Sequence, residues 1–84
     1  MKIDFHKKFK KRYSKIDSKI KKKFEEKLRV FEQNPFDISL SNHSLAGDLK
    51  EYRSIDITGD WRAWYIQEGD KVIFMVIDTH SNLY

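Results

Sequence analysis

Val72-Ile73-Phe74-Met75-Val76-Ile77 is apolar at six consecutive positions. Successive side chains of a β-strand point to opposite faces, so this strand is apolar on both and both must be covered. It therefore belongs in the middle of a sheet. Residues 61–67 form a second run rich in β-branched and aromatic residues, and Glu68-Gly69-Asp70 between the two is a short turn with glycine available for a positive φ. Residues 61–67 and 71–77 thus read as a β-hairpin. An antiparallel hairpin sets the start of its first strand beside the end of its second, which predicts that Asp60 and Arg62 lie near His80.

The earlier chain supplies a layer to cover that sheet. Residues 1–5 alternate and predict a short first strand, with Asp4 placed to cap a following helix. Phe5, Phe9, Tyr13 and Ile16, then Ile16, Ile20, Phe24, Leu28 and Phe31, recur at three- and four-residue steps. These stripes predict two amphipathic helices in an antiparallel hairpin. The second stops at Asn34-Pro35, because proline cannot continue a helix and displaces the residue before it from the α region. Residues 36–48 lack a sustained period and read as a loop. Alternation resumes over residues 49–57, the first strand of a meander that turns at Thr58-Gly59-Asp60 into the hairpin. The expected architecture is α+β, β-α-α-β-β-β, a helical hairpin packed on a small, mainly antiparallel twisted sheet, with residues 1–84 as one domain.

Charge is divided unevenly between these parts. Residues 1–30 hold thirteen Lys or Arg against four Asp or Glu, net +9, whereas residues 31–84 hold four against nine, net −5. A field of that density attracts polyanions such as RNA, DNA or an acidic protein, and a solvated lysine-rich helix face accounts for it equally well. The chain has no cysteine, which leaves out disulfides and thiolate metal sites. It shows neither a secretory signal pattern nor a membrane-length apolar run, so a cytoplasmic protein with no membrane association is expected.

Of the three histidines, His43 falls in the loop and His80 at the end of the last strand, where sites are commonly built, while His6 has no comparable company. Imidazole exchanges protons near neutral pH. An imidazole beside a carboxylate (Asp60) and a fixed cation (Arg62) suits phosphoryl transfer. His43 and His80 with Asp56, Asp60 or Asp78 do not match any metal-ligand spacing, and there is no Gly-x-Ser-x-Gly elbow or phosphate-cradling glycine loop. No metal and no cofactor are expected. Trp64 and Tyr65 are read as packing residues, whereas terminal Tyr84 is available to stack on an unpaired base.

The order His-x-Leu-x-Gly from His43, Tyr-Arg-Ser-Ile from Tyr52, Gly-Asp-Trp-Arg-Ala-Trp-Tyr from Gly59, and Asp-Thr-His-Ser-x-Leu-Tyr from Asp78 resembles the RelE/ParE toxin superfamily, and within it the YafQ-type toxins of bacterial type II toxin-antitoxin modules. The resemblance implies a ribosome-dependent mRNA endonuclease that cuts in the ribosomal A site without metal, through attack of the RNA 2′-hydroxyl on the adjacent phosphorus. It implies a cognate antitoxin, the ribosome with its RNA, and mRNA as partners. By position His80 resembles the general acid, His43 and Asp60 the groups that activate or orient the 2′-hydroxyl, and Arg62 the arginine that stabilises the phosphorane. Tyr84, Arg53, Trp61 and Asp56 become substrate-side residues, and Asp56 lies where relatives can carry a histidine. The base thus stays open among His43, Asp56 and Asp60. Members of the superfamily that inhibit DNA gyrase share the fold, and a plain basic RNA-binding module is a further alternative.

Overall fold

The computed structural model describes all of residues 1–84. Its elements run β1 (Lys2–Phe5), α1 (Lys7–Tyr13), α2 (Ser18–Gln33), β2 (His43–Ser44), β3 (Arg53–Asp56), β4 (Trp61–Glu68), β5 (Lys71–Thr79) and α3 (His80–Leu83). The five strands form one sheet in the order β1-β5-β4-β3-β2, with β1 parallel to β5 and every other pair antiparallel. The apolar run does lie inside the sheet, between β1 and β4.

Both helices cover one face of this sheet. Phe9, Ile16, Phe24 and Phe31 from the helical half pack with Ile55, Ile57, Ala63, Tyr65, Val72, Phe74 and Ile77 from the strands in one core. Phe74 is fully buried and touches the rings of Phe5, Phe9, Phe24, Phe31 and Tyr65 at centroid separations of 5.5–6.0 Å. Val72, Phe74 and Ile77 all belong to the helix-side core although strict alternation would set Ile77 opposite Phe74. A β-bulge resolves this. Trp64 pairs with Val76 and Tyr65 with Phe74, leaving Met75 as the extra residue.

The local expectations need four corrections. His6, not Asp4, caps α1, its Nδ1 accepting from the Lys8 N–H at 3.1 Å, while Asp4 pairs with Lys71 on the neighbouring strand. The segment 36–48 is not all loop: it holds a 3₁₀ turn at Ile38–Leu40, begins another at Gly47–Leu49, and contributes β2 as a fifth, two-residue edge strand. The strand expected over 49–57 is only Arg53–Asp56, because the 3₁₀ turn takes up its start. Finally, β5 runs on to Thr79 and the chain ends in a helical turn, α3, where no helix was expected. Both the β2 edge and the α3 turn are too short to carry a periodic signal, and both are held by partners distant in sequence.

One such partner is Asp78. Its Oδ1 accepts from Arg12 Nη2 of α1 at 3.1 Å, from the Thr79 N–H at 2.8 Å and from Asn82 Nδ2 at 3.0 Å. Burial alone would raise the carboxyl's pKa, but the Asn82 amide, the Thr79 N–H and Arg12 outweigh it and hold it below the ordinary aspartate value.

Truncating the centre of the aromatic cluster, Phe74→Ala, should remove about 3–5 kcal/mol of stability, the range for large core aromatics, read as a lower urea midpoint with unchanged slope. A carboxyl depressed in the folded state supplies stability above the ~3.9 of an unfolded aspartate and loses it as pH falls through the folded value. The gap in urea midpoint between the native chain and Asp78→Asn should therefore be open at pH 7 and narrow from about pH 5 downward.

Candidate active site

The register assigns the polar residues to the sheet face away from the helices. Cross-strand partners share a face, so His43, Ser54, Trp64 and Val76 form one row and Asp56, Arg62 and Asp78 the next. Ile55, Ala63 and Ile77 alternate with them onto the helix side. Trp61 falls on the helix side too, its ring under the Arg12 guanidinium at 5.2 Å, which makes it packing support rather than part of this face.

Arg62 is the most constrained group. Its Nε lies 3.0 Å from Asp56 Oδ1, and its Nη1 donates to the carbonyls of Thr58, Trp61 and Gly59 at 2.9, 3.0 and 3.3 Å. The turn 58–60 wraps the guanidinium because Thr58 Oγ1 accepts from the N–H groups of Asp60 and Trp61. Only Nη2 is left without an intramolecular partner, a fixed donor on the face. Asp56 has one oxygen committed to this pair.

His80 opens α3, with Thr79 as its cap, and its N–H donates to the Asp60 carbonyl at 2.6 Å. The hairpin thus does bring Asp60 and His80 together through their backbones. The Arg62 guanidinium, however, turns toward Asp56 and the 58–60 turn rather than toward His80. Asp60 is exposed and its carboxylate makes no hydrogen bond or ion pair. Below His80 the rings of Tyr84, Trp64 and Tyr52 follow in sequence, His80 to Tyr84 at 4.6 Å, Tyr84 to Trp64 at 5.8 Å and Trp64 to Tyr52 at 5.9 Å. Tyr84 therefore has a surface to pack on, unlike a free end, yet is 59% exposed. Trp64 Nε1 and Ser54 Oγ, cross-strand neighbours beneath these rings, are buried without a hydrogen-bond partner.

His43 stands apart. It lies on the β2 edge, three strand spacings from β5, about 14 Å across the sheet. Its Nδ1 lies 2.8 Å from the Ser41 carbonyl, which can only accept, so Nδ1 donates there and Nε2 is left without an intramolecular partner. Arg53 faces elsewhere as well, its Nε donating to Asn42 Oδ1 at 2.8 Å and its guanidinium covering the exposed Phe36 ring at 5.2 Å. Sequence reasoning missed Tyr52 and Trp64 as parts of this surface; their position follows only from the register. No three His, Asp or Glu side chains converge as a metal would require.

A family model described as "Bacterial toxin of type II toxin-antitoxin system, YafQ" matches residues 1–84. No curated protein sequence matches. Among solved structures, the solution structure of the conserved protein HP0894 from Helicobacter pylori is 25% identical with a TM-score of 0.76, covering 100% of this chain and 99% of that one. The YoeB/ParE toxin from Agrobacterium tumefaciens is 22% identical with a TM-score of 0.78, over 95% and 99% of the two chains. YafQ in the E. coli DinJ-YafQ toxin-antitoxin complex is 22% identical with a TM-score of 0.68, over 98% and 94%. Its sequence matched from end to end, the chain belongs to the YafQ family of bacterial toxins of type II toxin-antitoxin systems.

Proposed function

We propose that this toxin is a metal-independent endoribonuclease that cuts mRNA in the ribosomal A site, and that a cognate antitoxin holds it in check. The observation that supports this most directly is the group at the end of β4 and β5: an imidazole (His80), an unpaired carboxylate (Asp60), a fixed guanidinium nitrogen (Arg62 Nη2) and a run of aromatic rings, all at one end of the open sheet face.

In this reading an unpaired base stacks on the exposed Tyr84 ring, which the buried Trp64 backs, bringing its phosphate toward Arg62. Asp60 removes the proton of the 2′-hydroxyl as that oxygen bonds to phosphorus. Arg62 Nη2 stabilises the charge that develops on the phosphorane oxygens. His80 then gives its proton to the departing 5′-oxygen as the P–O5′ bond breaks, leaving a 2′,3′-cyclic phosphate and a 5′-hydroxyl. Of the three candidate bases, Asp56 is occupied by Arg62 and acts to hold it, and His43 lies across the sheet, where it meets a flanking part of the RNA, while Arg53, turned to Asn42 and Phe36, takes no part. Asp60 is the one beside His80.

The basic helices supply the ribosomal contact. Lys8, Lys11, Arg12 and Lys15 line one shallow hollow and Lys19, Lys22 and Lys23 another, each suited to backbone phosphates. The antitoxin is expected to be acidic and amphipathic, as that charge and the apolar cleft of about 280 Å³ between Phe5, Phe9, Tyr13, Phe24 and Leu28 would favour. The E. coli relative solved in a toxin-antitoxin complex with DinJ supports an antitoxin partner.

Purified toxin added to a translating extract with a defined mRNA should produce new 5′ ends at in-frame codons, mapped by primer extension, and none in a ribosome-free tube; intact mRNA in both would refute the reading. His80→Ala should lower the cleavage rate by about 10²–10⁴, the range for loss of a general acid, with folding unchanged by circular dichroism. Asp60→Asn should approach that loss, while His43→Ala should cost less in rate and more in half-saturation; the opposite order would make His43 the base.

A further inference from the structure

A four-residue helix has no stability of its own, because the nucleation cost of its first turn is not repaid by propagation. The direction in which α3 presents His80 and Tyr84 must therefore come from what holds it. Two of the bonds that do so meet on a residue with no role in the proposed reaction. Asp78 sits in register opposite Arg62 on the open face, yet its carboxylate turns away from that arginine. Its Oδ1 instead binds the N–H of Thr79, the residue that caps α3, and the side-chain amide of Asn82 inside the turn. The same oxygen takes Arg12 Nη2, which fastens the whole to α1. Arg12 is itself fixed by the face of Trp61 at 5.2 Å.

We propose that Asp78 is a positioning residue for His80: it clamps the last turn of the chain to α1 and so sets where the imidazole and the Tyr84 ring stand above the sheet. The proposal rests on the nuclease reading for what His80 does, but the clamp itself does not. The pair is legible as Asp78-Thr79-His80-Ser81-Asn82, a carboxylate and an amide four residues apart with the histidine between them. The depressed pKa of Asp78 agrees with a carboxylate whose charged form is held by these three donors. A residue of merely structural importance would lower the melting temperature and leave the rate per folded molecule as it was. A clamp would change the rate constant beyond any change in affinity, which can fall only by the stacking contact of Tyr84, since the lysine surfaces and the sheet are untouched.

Asp78→Ala, Asp78→Asn and Asn82→Ala should be compared by two readouts. The first is the backbone ¹⁵N order parameter of residues 80–84, which needs no catalysis. In Asp78→Ala these amides should fall from about 0.85 to below about 0.6, with the rest of the sheet unchanged. Asp78→Asn keeps an acceptor oxygen for Thr79 and Asn82 and should restore most of the order; Asn82→Ala should fall between. The second readout is single-turnover cleavage on ribosomes programmed with a defined mRNA. Asp78→Ala should slow it by at least about 10-fold at saturating ribosomes, with half-saturation raised no further than in Tyr84→Ala, and Asp78→Asn should recover most of the rate. A turn as ordered in Asp78→Ala as in the native chain would overturn the proposal, and so would a loss of order with no loss of rate. Should the native chain itself cut nothing, the nuclease reading fails, and the proposal, as one about placing a catalytic acid, fails with it; a fall in order there would identify only a structural clamp.

Discussion

The structure depends on β5 lying inside the sheet, paired along both edges, with its helix-side face buried. β1 and β4 pair with its edges and the helices cover Val72, Phe74 and Ile77, while Ile73, Met75 and Val76 stay half-buried, so the covering expected for both faces is realised on one. Phe74 at its centre gathers five other aromatic rings from β1, α1, α2 and β4. Phe9, Phe24 and Phe31 of the helical half are buried in this contact. The lysines that remain point outward as a consequence of the packing, without needing any separate cause.

The bulge at Met75 joins this core to the site. Up to Phe74, even-numbered residues of β5 face the helices; after the extra residue, odd-numbered ones do. Without it Ile77 would face outward and Asp78 would be driven toward the core. With it Asp78 shares the open face with Arg62, and the strand delivers His80 beside Asp60. Bulges redirect strands at the edge of functional sites in this way. Here a single inserted residue separates the packing half of the strand from the half that carries polar groups.

Around the candidate site, rigidity is distributed unequally. Arg62 is wrapped by three carbonyls and a carboxylate, and the 58–60 turn that wraps it is pinned by Thr58. His80 and Tyr84 ride on one helical turn held mainly by Asp78 and the Asp60 carbonyl. The buried, unpartnered Trp64 Nε1 and Ser54 Oγ lie under the aromatic rings between them, polar atoms left without partners where the surface is otherwise apolar. Such groups cost stability, and their place at the open face rather than in the helix-side core fits a surface kept for a ligand.

Much of this was legible in the sequence by itself. Local periodicity determined both helices, their apolar stripes and the hairpin, because side-chain patterns of period 3.6 and 2 follow directly from backbone geometry. The doubly apolar run determined that β5 is central, and the motif order determined the toxin family. What only the tertiary structure decided is everything set by register and by bonds between distant residues. The two-residue β2 edge that carries His43, the Met75 bulge, the turn of the Arg62 guanidinium toward Asp56, and the α3 turn tied to Arg12 belong here. Each is shorter than a period or depends on which strands pair and where a side chain turns, so no periodic pattern could encode it. The separation of His43 from His80 is of the same kind: two histidines of equal promise in sequence stand three strand spacings apart because strand order, not residue type, sets the distance between them.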